Sequence, residues 1–489
     1  MNGVRKVTED LYWVGVNDKR IELFENIHPI PEGVSYNAYL LLDEKTVLFD
    51  TVDWSGCRVF LENIAAVLDG RKLDYLVVNH MEPDHAASLE EVLIRYPECK
   101  VISNEKAFMF MRQFGFDVDG REDTVKEGDT RCFGKHTVTF LMAQMVHWPE
   151  AMVTFDTTNG VLFSADAFGS FGSLDGRLFD DEVNFDRDWI DNARRYFTNI
   201  VGKYGPFVQQ LLAKAKTAPI KMFCPLHGPV WRTNLGYYLD KHDKWSRYIP
   251  EENGVMIVYA SMYGNTESAA QALAAQLCEK GVTNVRVYDV SKTHVSYLVA
   301  EAFKYSHIVL ASVTYNLNIY PVMEDFLHHL KVLNLSKRVF GIIENGSWAI
   351  KSGSLMEQYI DENLKDCKIL NARMTINSSA NRSNASELDA LSDAIVKSVA
   401  IEEKAFEQRV IDDAAFAEEE ARKAAFKKLS AKERMALMRE KHRQEKGEAY
   451  AGKGEWQKII KYLLLSRGLH PQKYHYLWEK RNLQTVYNV

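Results

Sequence analysis

The chain has 489 residues, which is enough for two or three domains. Apolar residues make up 46% and charged residues 26%, as in ordinary globular proteins, and the net charge of −7 gives no reason to expect a nucleic-acid partner. The N-terminus lacks an apolar signal core, and no run reaches the roughly 18 apolar residues that a membrane helix needs, so we expect no membrane association.

The first half of the chain, 1–250, is rich in short strands and turns. Residues 36–53 predict two strands around a turn, which are followed by a helix at 57–69 and an apolar strand at 73–80. The segment "YIPEENG", 248–254, combines proline, glycine and charged residues and is the expected linker to a second domain.

The second domain, 253–398, alternates strands with helical patterns. Its apolar, β-branched strands are expected at 254–261, 285–290, 306–313 and 338–345. This alternation predicts an α/β domain with a parallel, doubly wound sheet. From 399 to 489 the chain is rich in Ala, Glu, Lys and Arg at helical spacing, which predicts a mostly α-helical extension.

The six cysteines are widely separated and include no CxxC pair; they are Cys57, Cys99, Cys132, Cys224, Cys278 and Cys367. This distribution argues against a disulfide framework, an iron–sulfur cluster and a rubredoxin-type iron site. A reducing cytoplasm is therefore the expected location.

Potential metal ligands cluster at the ends of apolar strands in the first half. In "VVNHMEPDHAASL", 77–89, four such residues fall within six positions, between a strand and a helix. Three more follow later strands, and a Gly, a Pro or a small residue comes shortly after each. Seven ligands are enough for two metal ions that share one bridging carboxylate. The candidates are His80, Glu82, Asp84, His85, His147, Asp166 and His227.

The residue types in this set indicate which metal it suits. Four imidazoles and three carboxylates without a thiolate favour iron or manganese over a structural zinc, which prefers sulfur. Zinc hydrolases of similar layout use mostly histidines, whereas this chain has Glu82 and Asp84. Taken alone, His147, His227 or Asp166 is more often a structural residue, so the interpretation depends on the complete set.

These residues and their spacing resemble the flavodiiron proteins, whose N-terminal half has an αββα metallo-β-lactamase-like fold. There are 61 residues between His85 and His147, 18 between His147 and Asp166, and 60 between Asp166 and His227. The resemblance implies two iron ions bridged by Asp166. It assigns His80, Glu82 and His147 to one iron, and Asp84, His85 and His227 to the other.

Three strand ends in the second domain predict a ligand site at one crevice. The stretch "VYASMYGNTE", 258–267, leads from a strand into a helix whose N-terminal N–H groups can hold a phosphate. Two later loops carry aromatic residues able to stack on a flat ring. All three resemble the FMN loops of flavodoxin, which implies FMN. The candidates are Ser261, Met262, Tyr263, Gly264, Asn265, Thr266, Ser312, Val313, Thr314, Tyr315, Asn316, Asn345, Gly346, Ser347 and Trp348.

The two-domain order extends the resemblance over 398 of the 489 residues. It implies reduction of dioxygen to water or of nitric oxide to nitrous oxide, with FMN supplying electrons to the iron pair. The segment "IPEGVSYN", 30–37, resembles oxygen-reducing members of the family and therefore favours dioxygen over nitric oxide as the substrate. The resemblance also implies a head-to-tail homodimer or a homotetramer. The external electron donor is left open among rubredoxin, a reduced deazaflavin and a separate reductase.

Two further residues are candidates for a role beside the bound gas. Tyr196, in "NARRYFTNI", matches a family position near the iron pair, where a phenol can donate a hydrogen bond; it is equally a candidate core tyrosine. His28 lies where some members carry a pocket histidine, but the usual F-H-G context is missing here.

The extension 399–489 departs from the basic family pattern. It has no cysteine and so cannot be a rubredoxin, and its 19 basic and 14 acidic residues make it mildly basic. A helical hairpin packed on the dimer and a docking surface for an acidic electron donor are both compatible with it. Two other functions stay open from sequence: a zinc-dependent hydrolase, and an electron carrier with a structural metal site.

Overall fold

The structure is a computed structural model that describes residues 3–428, with side chains through Ala405 and at Gln408. Met1–Ala400 form one compact unit. The expected helical extension begins inside a helix, Ala385–Lys428, that continues across position 399. The rest of the extension, 429–489, lies outside the described residues, and so does its proposed docking surface. None of the described helices combines the length and apolarity needed to cross a bilayer.

Two sheets form the first half of the chain. The seven-stranded sheet has the order β1 (Arg5–Lys6), β2 (Leu11–Trp13), β7 (Tyr39–Leu42), β8 (Thr46–Phe49), β9 (Tyr75–Val77), β10 (Lys100–Ser103) and β11 (Glu122–Thr124). The five-stranded sheet has the order β12 (Thr130–Cys132), β13 (Thr137–Met142), β14 (Met152–Asp156), β15 (Val161–Phe163) and β16 (Met222–Cys224). Two short ribbons pair β3 (Val16–Asp18) with β6 (Val34–Tyr36) and β4 (Leu23–Phe24) with β5 (His28–Pro29).

The helices of this half bury one face against a hydrophobic core that both sheets share. In α1 (Cys57–Leu68), Phe60, Ile64 and Leu68 recur every four residues and are all buried, so they form one stripe. This is the helix that the sequence predicts at 57–69. The others are α2 (Pro83–Ala86), α3 (Leu89–Arg95), α4 (Glu105–Gln113), α5 (Phe185–Asp188), α6 (Ile190–Tyr196), α7 (Gly205–Ala215) and α8 (Leu235–Ser246).

Five parallel strands form the second half, as the alternating pattern predicts. Their order is β18 (Val285–Asp289), β17 (Glu252–Ala260), β19 (Tyr305–Tyr315), β21 (Val339–Gly346) and β22 (Lys368–Asn377), with β20 (Asn318–Ile319) antiparallel to β19. The helices are α9 (Asn265–Glu279), α10 (Val295–Lys304), α11 (Pro321–Val332), α12 (Ser352–Asn363) and α13 (Ala385–Lys428). In β17, Met256 and Val258 face one core whereas Val255 and Ile257 face the other, since helices cover both faces.

Buried arginines connect the two halves within residues 1–400. Arg195 of α6 donates from Nε to Ser296 Oγ of α10 at 2.9 Å, and its guanidinium lies 3.9 Å from the ring centre of Tyr297. Arg338 donates from Nη1 to the carbonyl of Tyr248, the first residue of the expected linker, at 2.8 Å. A planar guanidinium can stack and donate at the same time, so both contacts fix the orientation of the connected elements.

Candidate functional site

The turn after β9 presents the cluster of candidate ligands. Asp50, just after β8, accepts hydrogen bonds from Asn79 N at 2.6 Å and from Asn79 Nδ2 at 2.7 Å. Pro83 then begins α2, where a missing N–H costs nothing because the first turn of a helix has no partner for it. A fixed strand end followed by a short helix directs His80 and His85 toward the same interior point.

The first group of donor atoms combines two imidazoles and two carboxylates. Asp166 Oδ2 lies 3.1 Å from His80 Nε2 and 3.1 Å from His147 Nε2. Glu82 Oε2 lies 3.3 Å and 2.9 Å from the same two nitrogens. All four side chains are buried, and their donor atoms lie within 4.8 Å of one another. This spacing suits four ligands around one ion.

The second group contains Asp84, His85 and His227. Asp84 Oδ2 is 3.2 Å from His85 Nε2 and 3.1 Å from His227 Nε2, and the two ring nitrogens are 2.9 Å apart. Asp166 Oδ1 is 3.4 Å from His85 Nε2 and 3.8 Å from His227 Nε2. Asp166 therefore reaches both groups, one with each carboxylate oxygen, as a bridging ligand would.

Hydrogen bonds behind the imidazoles fix which ring nitrogen faces the site. His227 Nδ1 donates to the carbonyl of Ser35 at 2.7 Å, and His80 Nδ1 donates to Glu150 Oε1 at 2.9 Å. Each bond leaves the Nε2 lone pair directed at the carboxylates, which is the arrangement of metal-binding histidines. Ser35, Glu150 and Asp50 were not among the site residues predicted from the sequence. For Glu150 a signal existed, because it follows His147 in "HWPE".

The electrostatics of the seven side chains fit bound metal cations. Burial alone would lower the pKa of His85, but the carboxylates of Asp84 and Asp166 outweigh it and raise that pKa to about 10. Burial would also lower the pKa of His147, but the carboxylates of Asp166 and Glu82 raise it to about 9. Both oxygens of Asp84 and Oδ1 of Asp166 are buried and have no hydrogen-bond donor among the described residues. Buried carboxylate oxygens without donors are costly unless a cation lies beside them.

Tyr196 lies against this group, and His28 lies beside Glu25, with 3.7 Å between His28 Nε2 and Glu25 Oε2. The Tyr196 ring centre is 5.3 Å from that of His227, and its buried hydroxyl has no hydrogen-bond partner in the described part of the chain. Burial and the nearby carboxylates raise the pKa of Tyr196, so it keeps its proton. The His28 ring contacts Phe171, at 6.2 Å between centres, and burial lowers its pKa to about 4.

One acidic residue near the site has no counterpart in the sequence analysis. Glu25 lies in the turn between β4 and β5, with a φ of 50°. Burial, together with the adjacent Glu82 carboxylate, raises the pKa of Glu25 to about 8. No sequence motif indicates a role for Glu25, because acidic residues are common in surface turns.

The candidate flavin loops meet at one edge of the parallel sheet. They follow β17, β19 and β21, which are neighbours in the sheet, so their carboxyl ends lie side by side. Gly264 caps α9 with a φ of 89°, a conformation that favours glycine, and its N–H bonds Ser261 Oγ at 3.0 Å. A Cβ at Gly264 would meet no atom within 4 Å, so there is open space for a phosphate at the N-terminus of this 15-residue helix.

Side chains of these loops divide into internal and outward groups. Thr314 Oγ1 accepts hydrogen bonds from the backbone of Lys351 and Ser352, so it fixes the loop. Tyr263 and Trp348 are 89% and 90% exposed, which leaves two free aromatic faces at the crevice. Asn345 Oδ1 is buried and lacks a partner among the described residues. These features fit a flat, polar-edged ring bound beside a phosphate group. The other candidate residues lie in these loops or in the adjoining strand and helix ends: Ser312, Val313 and Tyr315 in β19, Gly346 in β21, Asn265 and Thr266 in α9, and Met262, Asn316 and Ser347 in the loops.

Comparisons with known proteins agree with the fold of both halves of the chain. Residues 34–228 match the "ODP family beta lactamase" family and residues 257–368 match "Flavodoxin". A nitric oxide reductase from Moorella thermoacetica is 30% identical over 366 residues, covering 74% of this chain and 90% of that one. The chain belongs to the flavodiiron family.

Solved structures of the family share the fold. A rubredoxin oxygen:oxidoreductase from the anaerobe Desulfovibrio gigas superposes with a TM-score of 0.76 at 27% identity, covering 81% of this chain and 99% of that one. The flavodiiron protein from Giardia intestinalis has a TM-score of 0.73 at 23% identity, covering 81% and 97%, and shares the fold. The predicted metallo-β-lactamase-like and flavodoxin-like folds are confirmed.

Membership makes this protein an oxidoreductase of the flavodiiron type, as the sequence predicts. The flavodoxin domain and the flavodiiron relatives imply FMN and a non-haem iron centre. The zinc-hydrolase and electron-carrier alternatives are not favoured.

Proposed function

We propose that this chain reduces dioxygen to water, and more slowly nitric oxide to nitrous oxide, at a centre of two iron ions. The observation that carries the proposal is the pair of donor groups that share Asp166, next to a Tyr196 hydroxyl that has no hydrogen-bond partner among residues 3–428. Two iron ions and FMN supply one-electron redox chemistry when bound. The relatives named for nitric oxide and for oxygen reduction support both gases, and the residues 30–37 favour oxygen.

The chain's own residues have distinct roles in this proposal. His80, Glu82 and His147 hold one iron, Asp84, His85 and His227 hold the other, and Asp166 bridges them. Glu150 and Ser35 keep two imidazoles in the tautomer that binds metal. Tyr196 donates its phenolic hydrogen bond to the gas, since burial keeps it protonated and its hydroxyl makes no hydrogen bond within the described residues. Reduction of dioxygen consumes four protons and four electrons, and reduction of two nitric oxide molecules consumes two of each.

Exposed side chains near the two sites favour contact with a second copy of the chain. Exposed apolar side chains lie near both sites: Trp348 and Tyr263 at the flavin loops, and Trp54 and Phe114 beside Pro83 of the metal motif. The cavity of about 200 Å³ that Trp54, Pro83 and Phe114 help to line can receive an aromatic side chain. We propose a head-to-tail homodimer, alone or within a homotetramer, in which these surfaces meet. A rubredoxin-type donor and a cytoplasmic location stay predictions.

Metal replacement tests this proposal. We expect the FMN-loaded protein to consume gas with iron at the site, and to lose all consumption with zinc, because zinc has no redox chemistry. Asp166→Asn, with iron content measured, should abolish turnover because the bridge loses its charge. Equal gas consumption by the zinc-loaded protein would contradict the proposal, and thioester or lactam hydrolysis by it would favour the hydrolase.

A further inference from the structure

A path of packed aromatic rings leads from the metal-binding side chains toward the surface of the first half. Tyr196 packs against Gly169, where an added Cβ would lie 2.9 Å from Tyr196 Cε1, and Tyr238 of α8 donates its hydroxyl to Gly169 O at 3.0 Å. The Tyr238 ring stacks on that of Trp231, with 4.2 Å between the ring centres and 15° between the planes. The Trp231 ring centre lies 6.3 Å from that of Tyr237, at 18°. The aromatic stack of Tyr238, Trp231 and Tyr237 is therefore continuous with Tyr196.

The inner end of this path touches a candidate metal ligand. The Tyr196 ring centre is 5.3 Å from that of His227. Trp231 follows His227 by only four positions, and its backbone exchanges hydrogen bonds of 2.8 and 3.0 Å with Phe223 in β16. Trp231 is therefore connected to a metal ligand through a short, fixed segment of backbone as well as through the packed rings.

The surroundings of the rings differ in the way that a one-electron relay requires. Tyrosine and tryptophan rings are among the side chains that lose one electron most readily. The Trp231 ring is 2% exposed and its indole N–H has no hydrogen-bond partner among residues 3–428, so an oxidised indole finds no base there and stays strongly oxidising. Tyr237 is half-buried and donates its hydroxyl to the carboxylate of the exposed Asp186. Because this carboxylate can take the phenolic proton, Tyr237 is the ring of the stack that is most easily oxidised.

We propose that the aromatic stack is an electron relay that protects the metal-binding side chains when dioxygen has not received all of its electrons. The inference rests on the proposed function and adds a protective path to it. One electron passes along the path from Trp231 to the metal centre. Tyr237 replaces that electron, and its phenolic proton goes to Asp186. A small thiolate from solution then returns one electron to Tyr237, the proton goes back from Asp186, and two of the resulting thiyl radicals combine to a disulfide.

The position of the stack explains what it protects. Without a relay, an oxidising equivalent left at the metal centre reacts with the nearest side chains, which are the ligands and Tyr196. The relay moves it to Tyr237, where a dissolved reductant can reach the half-buried ring. With a full supply of electrons from FMN the relay is not used, so its removal should leave the initial rate of gas consumption unchanged.

Spin trapping locates the radical without a measurement of gas consumption. The full-length protein loaded with ferrous iron and FMN is treated with hydrogen peroxide, which delivers oxidising equivalents at the iron, in the presence of a nitroso spin trap. Mass spectrometry of the digested protein should find the trap bound to Tyr237. Tyr96 is also half-buried but lies outside the stack, so it should stay unlabelled. Equal labelling of Tyr96 and Tyr237, or no labelling of Tyr237, would overturn the proposal.

Substitutions at Trp231 test the path itself. Trp231→Phe should lose the Tyr237 adduct, because a phenyl ring does not give up an electron under these conditions. Trp231→Tyr keeps an oxidisable ring and should retain the adduct. Trp13→Phe is the matched control, because Trp13 is also buried but lies outside the stack, and it should retain the adduct as well. A Tyr237 adduct that persists in Trp231→Phe would refute the relay.

Tyr237→Phe covers the case in which the Trp231 variants do not fold, since the Tyr237 ring is only half-buried. Electron paramagnetic resonance of samples frozen soon after peroxide addition should show a tyrosyl radical in the parent protein and a tryptophan radical in Tyr237→Phe. An unchanged tyrosyl signal in Tyr237→Phe would contradict the relay. If the parent protein consumes neither gas, the proposed function fails, while the peroxide experiments still decide whether the stack carries electrons.

Discussion

The opposed ring nitrogens of His85 and His227 give the clearest residue-scale indication of a bound cation. They lie 2.9 Å apart, and the Nδ1–H of His227 is already donated to Ser35. The Nε2 of His227 therefore carries a lone pair directed at a second nitrogen. With three carboxylates nearby, the set carries a charge of about −3 when the imidazoles are neutral, and two divalent cations reverse that sign.

Tyr196→Phe separates function from stability. The hydroxyl has no partner in the described part of the chain, so its removal should leave the free energy of unfolding unchanged or slightly higher. The rate of gas consumption should fall by about tenfold or more, because one preorganised donor is lost. Denaturant unfolding and steady-state kinetics measure the two effects.

Tyr238→Phe is the matched control for that variant. Tyr238 is also fully buried, but its hydroxyl donates to Gly169 O at 3.0 Å. Its removal should cost about 1 kcal/mol of stability and leave the rate of gas consumption intact. The same loss of rate in both variants would mean that Tyr196 acts only through packing.

Glu150→Ala should weaken iron binding although Glu150 is not among the candidate ligands. Its Oε1 accepts from His80 Nδ1 and from Met81 N, both at 2.9 Å, so its loss frees the imidazole to rotate. Iron affinity should drop by about 10- to 100-fold. Glu150→Gln keeps an acceptor oxygen and should lose less. Chelator competition measures the iron affinity. The partly exposed Glu127 supplies the control variant Glu127→Ala. Equal losses of affinity in Glu150→Ala, Glu150→Gln and Glu127→Ala would contradict a role of Glu150 in orienting His80.

At the scale of elements, His136 connects three segments of the N-terminal half. Its Nδ1 lies 2.8 Å from Asp156 at the end of β14, and its Nε2 lies 2.8 Å from Asp10 before β2. The bond to Asp156 outweighs burial and, with Asp10, raises the pKa of His136 to about 9. The charged imidazole thus joins both sheets through the turn between β12 and β13.

These contacts of the charged His136 ring predict that the stability of the fold depends on pH. Because the folded pKa lies above the unfolded value of 6.5, the contribution is complete below pH 6.5 and disappears as the pH rises through about 9. His136→Gln should cost about 2 kcal/mol near pH 6, after allowance for solvent screening, and much less at pH 10. Unfolding in denaturant across this range measures the difference between the two proteins. If the difference in free energy of unfolding between the two proteins does not change with pH, the charged form of His136 does not stabilise the fold.

At the scale of elements, the sequence predicts well those features that depend on neighbouring residues. The ligands follow buried strands directly, so hydrophobic pattern and spacing place His80 and His85 in the same turn. The partners that orient them are distant: Ser35 contacts His227 across 192 positions. The strand β22 was also missed, because its polar alternation in "KILNARMTIN" differs from the apolar runs of the inner strands. Long-range hydrogen bonds and edge strands carry little local signal.

At the scale of the whole molecule, removing the C-terminal extension should preserve both cofactor sites. Met1–Ala400 form a compact unit, and the buried contacts of α13 extend to Ser398, whose hydroxyl lies 2.9 Å from His307 Nε2. A protein that ends at Ala400 is therefore a better test than one that ends at 398. We expect unchanged FMN and iron contents by absorbance and metal analysis. Loss of either cofactor would mean that the extension is part of the fold.

The most direct test of the central claim is gas consumption by the reduced holoprotein. The FMN- and iron-loaded protein is reduced anaerobically, and dioxygen and nitric oxide are followed by electrode in parallel samples. We predict loss of both gases, faster for dioxygen and without release of peroxide. Faster loss of nitric oxide would reverse the preference. An iron-loaded protein that consumes neither gas would contradict the account of the site as a gas reductase.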